Sequence, residues 1–566
     1  MATRFTQLYQ TSVVVLLLAG SVARADAEDC LLLGSHPEDG SHEVHVSNSL
    51  HLRFSQAMDA ATLHHLRLVE QRGERECVEV AVECSTDLTQ ASVTVSPRRF
   101  LTPNAKYVLT GSSRVRSRAG HALQPFRLEF QTGDAPADPG SRYLFSATKV
   151  EAIRSLTTVL IGPDRRLYAA DAFGNLYRWN LTEAGVPVQR ELIWHDPRRS
   201  RQIVDLEWDP DAHAKRLVLW ISYGERLPPD PERRFFTGTI SRLTIGDRVR
   251  EEQMVIGLPH GREKQGGFDT LPHQPNGLVF RNGLLYQSIG STSSSGGPAN
   301  WGIAEQPLSA CVIEIDVKRI EPPLDVHPDA KYDATADYAA LRVFATGIRN
   351  ALELVLHPNG NLYTGVNQND RRGRADGVPD HPGLEGDQNH LITSTTPDHE
   401  SLLLVRRGRH YGFPNPSRGH YVLSGGNPTT RPDPFEISDY PVGTPPDGNF
   451  AAELMFPIWQ YGGTSPNGGI AYHRPGHPLH EHLIWCFYST GGIAVMPLAG
   501  DGLPAGVEML RTPSGKLLLS GPLDITQDEQ TGNLYIADFG KQNKFGADGS
   551  LVLLRPERQA IEQSKR

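Results

Sequence analysis

Residues Arg342 to Asp370 read Arg-Val-Phe-Ala-Thr-Gly-Ile-Arg-Asn-Ala-Leu-Glu-Leu-Val-Leu-His-Pro-Asn-Gly-Asn-Leu-Tyr-Thr-Gly-Val-Asn-Gln-Asn-Asp. Leu352, Leu354 and Leu356 alternate with Glu353 and Val355, His357-Pro358-Asn359-Gly360 is a turn signal, and Leu362 to Val366 is a return strand. Two alternating runs around Asn-Gly predict a β-hairpin. The stretch also carries a polar pair, Arg349-Asn350, at the mouth of that hairpin.

The pattern recurs at Val159–Tyr168, Leu206–Trp220, Leu278–Tyr286, Ile470–Trp485 and Ile525–Tyr535. Short strands repeated in this way cannot each bury both faces alone, so the repeats predict sheets stacked around an axis. With the opening copy there are six, and the uneven gaps between them predict loops of different length. The fold class expected is all-β: an Ig-like sandwich followed by a six-bladed propeller.

The sandwich is expected from what precedes the repeats. Leu50–Ser55 alternates, Val93-Thr94-Val95 precedes Leu101–Leu109, and Phe126–Thr132 closes the run. About seven strands in roughly 100 residues is the size of such a domain. The organisation predicted is a leader over 1–27, a sandwich over 28–134, a linker over 135–142 rich in Pro and Gly, the propeller over 143–556 and a polar tail over 557–566. In the leader, Arg4 precedes the short apolar run Val13–Gly20, and Ala23-Arg24-Ala25 fits small-x-small cleavage. The expectation is export to a periplasmic or extracellular location, with no transmembrane segment in the mature chain.

The chain has 566 residues, 38% of them hydrophobic and 21% charged, with a formal charge of −9. This is an ordinary globular balance without a basic footprint for nucleic acid. The five Cys contain no Cys-x-x-Cys pair, which argues against structural zinc. Cys77 and Cys84 would pair across adjacent strands, but the alternating run between them reads as one strand, which would hold them apart; the pairing stays open. No Gly-x-Ser-x-Gly elbow or phosphate loop is present, so hydrolase and nucleotide readings lack support. Asn180-Leu181-Thr182 is a sequon of the kind that occurs by chance.

Three polar stretches interrupt the repeats just ahead of equivalent strands: Leu271–Gly277, Gly347–Asn350 and Tyr461–Gly468. Equivalent positions of a propeller converge near the axis on one face, so these stretches are expected to share a pocket. His273 is a base or ligand there. Arg349 is a bidentate partner for a carboxylate. Gln274, Asn276, Asn350, Thr464 and Asn467 supply directional hydrogen bonds. The same polar residues would also serve as ties between blades, capping backbone groups. The loop Asn367–Asn389 is acidic and Gly-rich, and its oxygen ligands, with Asn369, Asp370 and Asp387 foremost, suit Ca²⁺. An acidic rim that is merely solvated is the alternative. Ser291–Ser295, followed by Gly296-Gly297-Pro298, reads as a flexible rim loop.

At these residues the chain resembles two families. Its N-terminal part, with Phe54-Ser55-Gln56-Ala57-Met58-Asp59 and Leu101-Thr102-Pro103-Asn104-Ala105-Lys106-Tyr107, is similar to bacterial Ig-like domains of the surface-layer type. Its C-terminal part resembles the glucose/sorbosone dehydrogenases, six-bladed propellers that oxidise sugars with pyrroloquinoline quinone (PQQ) and calcium. The resemblance rests on His273-Gln274-Pro275-Asn276-Gly277, Gly347-Ile348-Arg349-Asn350, Pro358–Tyr363, Tyr411-Gly412-Phe413-Pro414 and Ser465-Pro466-Asn467-Gly468. It implies PQQ and Ca²⁺ as cofactors, a sugar or related alcohol as substrate, a separate electron acceptor, and Arg349 as the quinone contact. The sequence departs from the family twice. The segment Trp301–Ser309, ahead of Ala310–Ile315, lacks the family's catalytic His, and Val366-Asn367-Gln368-Asn369-Asp370 stands where the family has its calcium turn. His273 is the substitute base under this reading. A non-catalytic propeller that binds a glycan or protein is the second.

Overall fold

A computed structural model describes residues 30–557, except for 134–142, 294–302, 375–390, 394–399, 421–450 and shorter interruptions. The leader of the sequence reading lies outside the described residues. The chain divides into two compact units, Met1–Ala135 and Pro136–Arg566.

The first unit is a two-sheet sandwich. One sheet holds Leu32–His36, Leu50–Phe54, Ser92–Pro97 and Val82–Thr86 in that order; the other holds Ser41–Val44, Phe126–Thr132, Lys106–Gly111, Arg67–Arg72 and Glu76–Val80. Period-two alternation sends Leu50, Leu52 and Phe54 inward against Leu68, Tyr107, Leu109 and Phe130. Among the described residues there are nine strands where about seven were expected. One reason is that the run from Glu76 to Thr86 is not one strand: it breaks at Ala81 and its halves join different sheets. Cys77 and Cys84 therefore sit on separate sheets, and both are free thiols.

The second unit is a ring of six blades, and each blade begins at one of the repeats. The first blade is Leu156–Ile161, Leu167–Asp171, Leu176–Leu181 and Pro187–Trp194. The second is Arg201–Trp208, Leu217–Glu225, Gly238–Ile245 and Val249–Leu258, with Leu324–Asp325 added in parallel at its outer edge. The third runs Pro275–Arg281, Leu284–Ile289, Cys311–Ile315, Leu341–Thr346, and the fourth Val355–Leu356, Leu362–Val366, Glu400–Val405, Met455–Trp459. The fifth is Pro466–Ala471, Leu483–Phe487, Gly492–Met496 and Glu508–Met509. The sixth takes Pro522–Gln527, Leu534–Asp538 and Ser550–Pro556 from the end of the chain and Phe145–Ala152 from the start of this unit. That last antiparallel pairing closes the ring, so neither end of the sheet series is left as an open edge.

Burial follows the same plan. Six hydrophobic clusters each span one pair of neighbouring blades; Tyr168, Leu176, Ile203 and Leu219 fill the first-to-second interface, and Val355, Tyr363, Trp485 and Met496 the fourth-to-fifth. The first strand of each blade lies innermost, beside the first strands of its neighbours. In five blades this inner strand slips register against its partner, at Leu156/Thr158, Ile203/Asp205, Pro275/Leu278, Pro466/Gly469 and Pro522/Asp524. The bulge bends the strand as it turns down the axis. Asn276-Gly277 and Asn467-Gly468 sit within two of these bulges.

The crowding at the axis explains the glycines. A Cβ on Gly277 would lie 2.8 Å from Cα of Glu353 in the fourth blade, and one on Gly468 would lie 2.4 Å from Cα of Asp524 and 2.6 Å from the Leu523 carbonyl oxygen in the sixth. These contacts are backbone, so nothing yields cheaply. We predict that Gly468→Ala lowers the melting temperature by several degrees, in line with about 1–3 kcal/mol for overpacking. Gly246→Ala, where a Cβ meets nothing within 4 Å, is the control that should leave melting followed by circular dichroism unchanged.

Candidate functional site

The polar entry stretches of the third and fourth blades come together. Gly290, at the end of the second strand of the third blade, is the point of assembly. A Cβ placed there would lie 2.8 Å from Asn350 Oδ1, 2.8 Å from His273 Cβ and 3.3 Å from the Gln274 backbone nitrogen. Asn276 donates through Nδ2 to Asn350 Oδ1 at 2.9 Å and to the Ala351 carbonyl at 2.9 Å, stitching the two blades. Asn367 donates its backbone N–H to the Asn350 carbonyl at 2.9 Å. His273, Gln274, Asn276, Arg349 and Asn350 are all buried.

Ser291 joins the His273 side chain to the Arg349 backbone. Its backbone N–H donates to the Arg349 carbonyl at 2.6 Å, and its Oγ lies 2.8 Å from His273 Nδ1. Burial, and after it the positive charge of Arg349, hold the His273 pKa well below the usual histidine range, so the imidazole is neutral at physiological pH. A neutral imidazole near a guanidinium has the chemistry to act as a base close to a group able to hold an anion. The amide oxygen of Gln274 is buried without a hydrogen-bond partner. Leaving such an acceptor unpaired costs about 1–3 kcal/mol, which a ligand donor would recover.

The other sequence-predicted residues belong to the fifth blade or lie outside the described residues. Thr464 is buried at the entry to the fifth blade, where its N–H donates to Glu400 Oε2 at 2.8 Å and its hydroxyl bonds the same oxygen. Asn467 is buried in the bulge of that blade's inner strand. Asn369, Asp370 and Asp387 lie outside the described residues. The reading of Ser291–Ser295 as a flexible rim is corrected for its first half: Ser291, Thr292 and Ser293 are fully buried. Ser293 Oγ donates to Glu305 Oε1 at 2.6 Å, and Ser309 Oγ bonds the other oxygen of that carboxyl. Burial raises the Glu305 pKa to about 7. A Ser-Gly run reads as flexible from composition; the carboxylate that orders it is twelve residues away and has no local signal.

Sequence reasoning also missed a group on the axis. Asp205, Glu353 and Asp524, from the inner strands or strand entries of the second, fourth and sixth blades, bring one carboxylate oxygen each within 4.8 Å of one another. Among the described residues this is the one acidic group with the spacing a cation would need. Leu278 N–H of the third blade donates to Asp205 Oδ2 at 2.6 Å, and Val159 N–H of the first donates to Asp524 Oδ2 at 2.8 Å. The Thr158 hydroxyl lies 2.9 Å from Asp524 Oδ2 and 3.4 Å from Asp205 Oδ1. Burial, then the neighbouring acids, push Asp205 and Glu353 well above the usual carboxylate range; burial pushes Asp524 up to about 6.

Residues 26–132 match the bacterial Ig-like domain family. No curated protein matches the chain. Among solved structures it is similar to the PQQ-bound aldose sugar dehydrogenase of Streptomyces coelicolor, at 12% identity over 73% of this chain and 98% of that one, TM-score 0.43. A calcium structure of a Trichoderma reesei carbohydrate-active enzyme of family AA12 gives 13% identity over 73% and 96%, TM-score 0.46. The PQQ domain of Coprinopsis cinerea pyranose dehydrogenase gives 12% over 73% and 95%, TM-score 0.44. Among the described residues no helix is long and apolar enough to cross a membrane.

The axial acids give a pH prediction. Their folded pKa values are raised, so their contribution to stability is full below the unfolded carboxylate range and is lost as pH rises through about 6 and above. Glu353→Gln keeps an acceptor for the Leu354 N–H that Glu353 Oε1 bonds at 2.9 Å and removes one charge. The variant should melt a few degrees above the parent at pH 8 and level with it at pH 4. A lower melting temperature at pH 8 would show instead that the ring needs this carboxylate ionised.

Proposed function

We propose that the propeller is a quinone-dependent oxidoreductase of the sugar dehydrogenase type, acting on a sugar or related alcohol outside the cytoplasm. The observation that carries the reading is a neutral, buried His273 that lies within the field of the buried Arg349 charge and is tied through Ser291 to the Arg349 backbone. The motif resemblance of the C-terminal part supplies the cofactor class.

The residues present fit PQQ. It is a tricarboxylate, and Arg349 offers a planar fork for one carboxylate. The unpartnered Gln274 oxygen offers an acceptor for a ring N–H, and Asn350 adds a directional contact. When bound, the quinone supplies the hydride acceptor for alcohol oxidation. The protein's part is proton chemistry and positioning. Neutral His273 removes the substrate hydroxyl proton. Arg349 holds negative charge in a site with low-dielectric walls. Asn276 and Asn350, locked to each other across the blade boundary, keep the two side chains in fixed relation. Thr464 and Asn467 are assigned to the fifth-blade wall of the same entrance. Ca²⁺ is assigned to Asn369, Asp370 and Asp387 on the acidic loop, with oxygen donors only. A glycan- or protein-binding propeller without catalysis remains the second reading, and the absence of a His between Trp301 and Ser309 is what favours it.

Two measurements test the proposal. Calorimetry should detect PQQ binding, and Arg349→Ala should weaken it by about 2–5 kcal/mol, the cost of removing one partner of a buried charged contact. Arg349→Lys should recover part of the loss, because it keeps the charge without the fork. Absence of binding by the parent, or equal binding by Arg349→Ala, would favour the binding-module reading. Exhaustive chelation should lower the melting temperature if the acidic loop holds Ca²⁺, since a ligand of the native state stabilises by mass action. An unchanged transition would leave that loop a solvated rim.

A further inference from the structure

The hydrogen bonds around Ser291 fix which nitrogen of His273 carries the proton. The Ser291 hydroxyl has one hydrogen, and it donates that hydrogen to the Ser293 carbonyl at 2.8 Å. Toward His273 Nδ1, 2.8 Å away, the same hydroxyl can then only accept. The Ser291 carbonyl, 3.2 Å from the same nitrogen, can also only accept. Both contacts require a hydrogen on Nδ1. A neutral imidazole with hydrogen on Nδ1 has its lone pair on Nε2.

Ser291 is itself held at two points, one of them anchored further. Its backbone N–H donates to the Arg349 carbonyl at 2.6 Å, its hydroxyl reaches Ser293, and the Ser293 hydroxyl is anchored on Glu305 at 2.6 Å. All the side chains of this brace are buried. The brace therefore links the orientation of His273 to the backbone of Arg349.

We propose that Ser291 is a positioning residue that locks His273 in the Nδ1–H form and turns the Nε2 lone pair into the acceptor of the substrate hydroxyl proton. Ser293 and Glu305 hold Ser291 in place. In the step this serves, the substrate O–H bond breaks, the proton moves to Nε2 to give an imidazolium, and the electron pair stays on the substrate oxygen. The inference rests on the dehydrogenase reading for its purpose but not for its geometry.

Nitrogen NMR of the full chain labelled with ¹⁵N-histidine tests it, with the His273 signals identified by their loss in His273→Gln. At pH 7 the parent should show a protonated, pyrrole-type Nδ1 and a pyridine-type Nε2. Ser291→Ala should give a mixed or reversed pattern, and Ser291→Thr, which keeps the hydroxyl, should restore it. In turnover assays with PQQ, Ser291→Ala should lower kcat about 10–100-fold, as for other outer residues that orient a working side chain, with KM little changed. A pyrrole-type Nε2 in the parent overturns the proposal, and so does an unchanged pattern in a folded Ser291→Ala. Should Ser291→Ala not fold, the parent and Ser291→Thr spectra decide it. The tautomer is read without cofactor, so failure of PQQ to bind would count against the dehydrogenase reading and leave the positioning result standing.

Discussion

An inner propeller strand has one edge without a neighbour in its own sheet, and this ring meets that constraint with carboxylates. Asp205 accepts from the Leu278 N–H of the next blade, and Asp524 accepts from the Val159 N–H across the point where the ring closes. A buried backbone donor left unpaired would cost about as much as a lost hydrogen bond. Each carboxylate therefore does for an inner edge what another strand does elsewhere in the sheet. The consequence is a concentration of acid on the axis, where Glu353 joins the other two. Burial and mutual repulsion make protons hard to remove from it. Glycine at 277 and 468 is the steric counterpart, since the backbone of the following blade leaves no room there for a side chain.

That constraint also places the site. The inner strands are drawn tightly to the axis, so the residues just ahead of them arrive at the same end of the ring. At the third and fourth blades these are His273-Gln274 and Arg349-Asn350. The interblade tie from Asn276 to Asn350 and Ala351 is structural and positional at once. The two readings of these amides offered by the sequence, blade tie and ligand contact, are not exclusive. An amide locked by one hydrogen bond holds its neighbours where a ligand would need them.

The six hairpins were legible because each joins two local signals, a turn and an alternating strand, and both survive in a single sequence. The convergence of His273 with Arg349 was legible for the same reason, since both precede a strand of the same kind. The axial acids were not. Glu353 alternates with Leu352 and Leu354 as a solvent-facing residue would, and only the closed ring shows that its polar side faces other carboxylates. The brace was hidden because Ser291 and Ser293 are ordered by Glu305 and by the Arg349 backbone, partners that composition does not reveal. The run from Cys77 to Cys84 misled because alternation continues through Ala81, where the chain changes sheet.

The proximity of Arg349 to His273 has a further consequence for the chemistry. The guanidinium charge works against an imidazolium, which is why its field adds to burial in depressing the His273 pKa. An anion seated on Arg349 cancels part of that field, and His273 then becomes a stronger base. His273 therefore gains strength as a base whenever negative charge is added beside Arg349. Under the dehydrogenase reading, proton abstraction is favoured only when the carboxylate-bearing cofactor is bound. Under the binding-module reading the same coupling makes anion binding tighter as pH falls, because protonation of His273 and occupation of Arg349 support each other. The two readings thus share one electrostatic arrangement and differ in whether a substrate proton is taken by the imidazole that Ser291 orients.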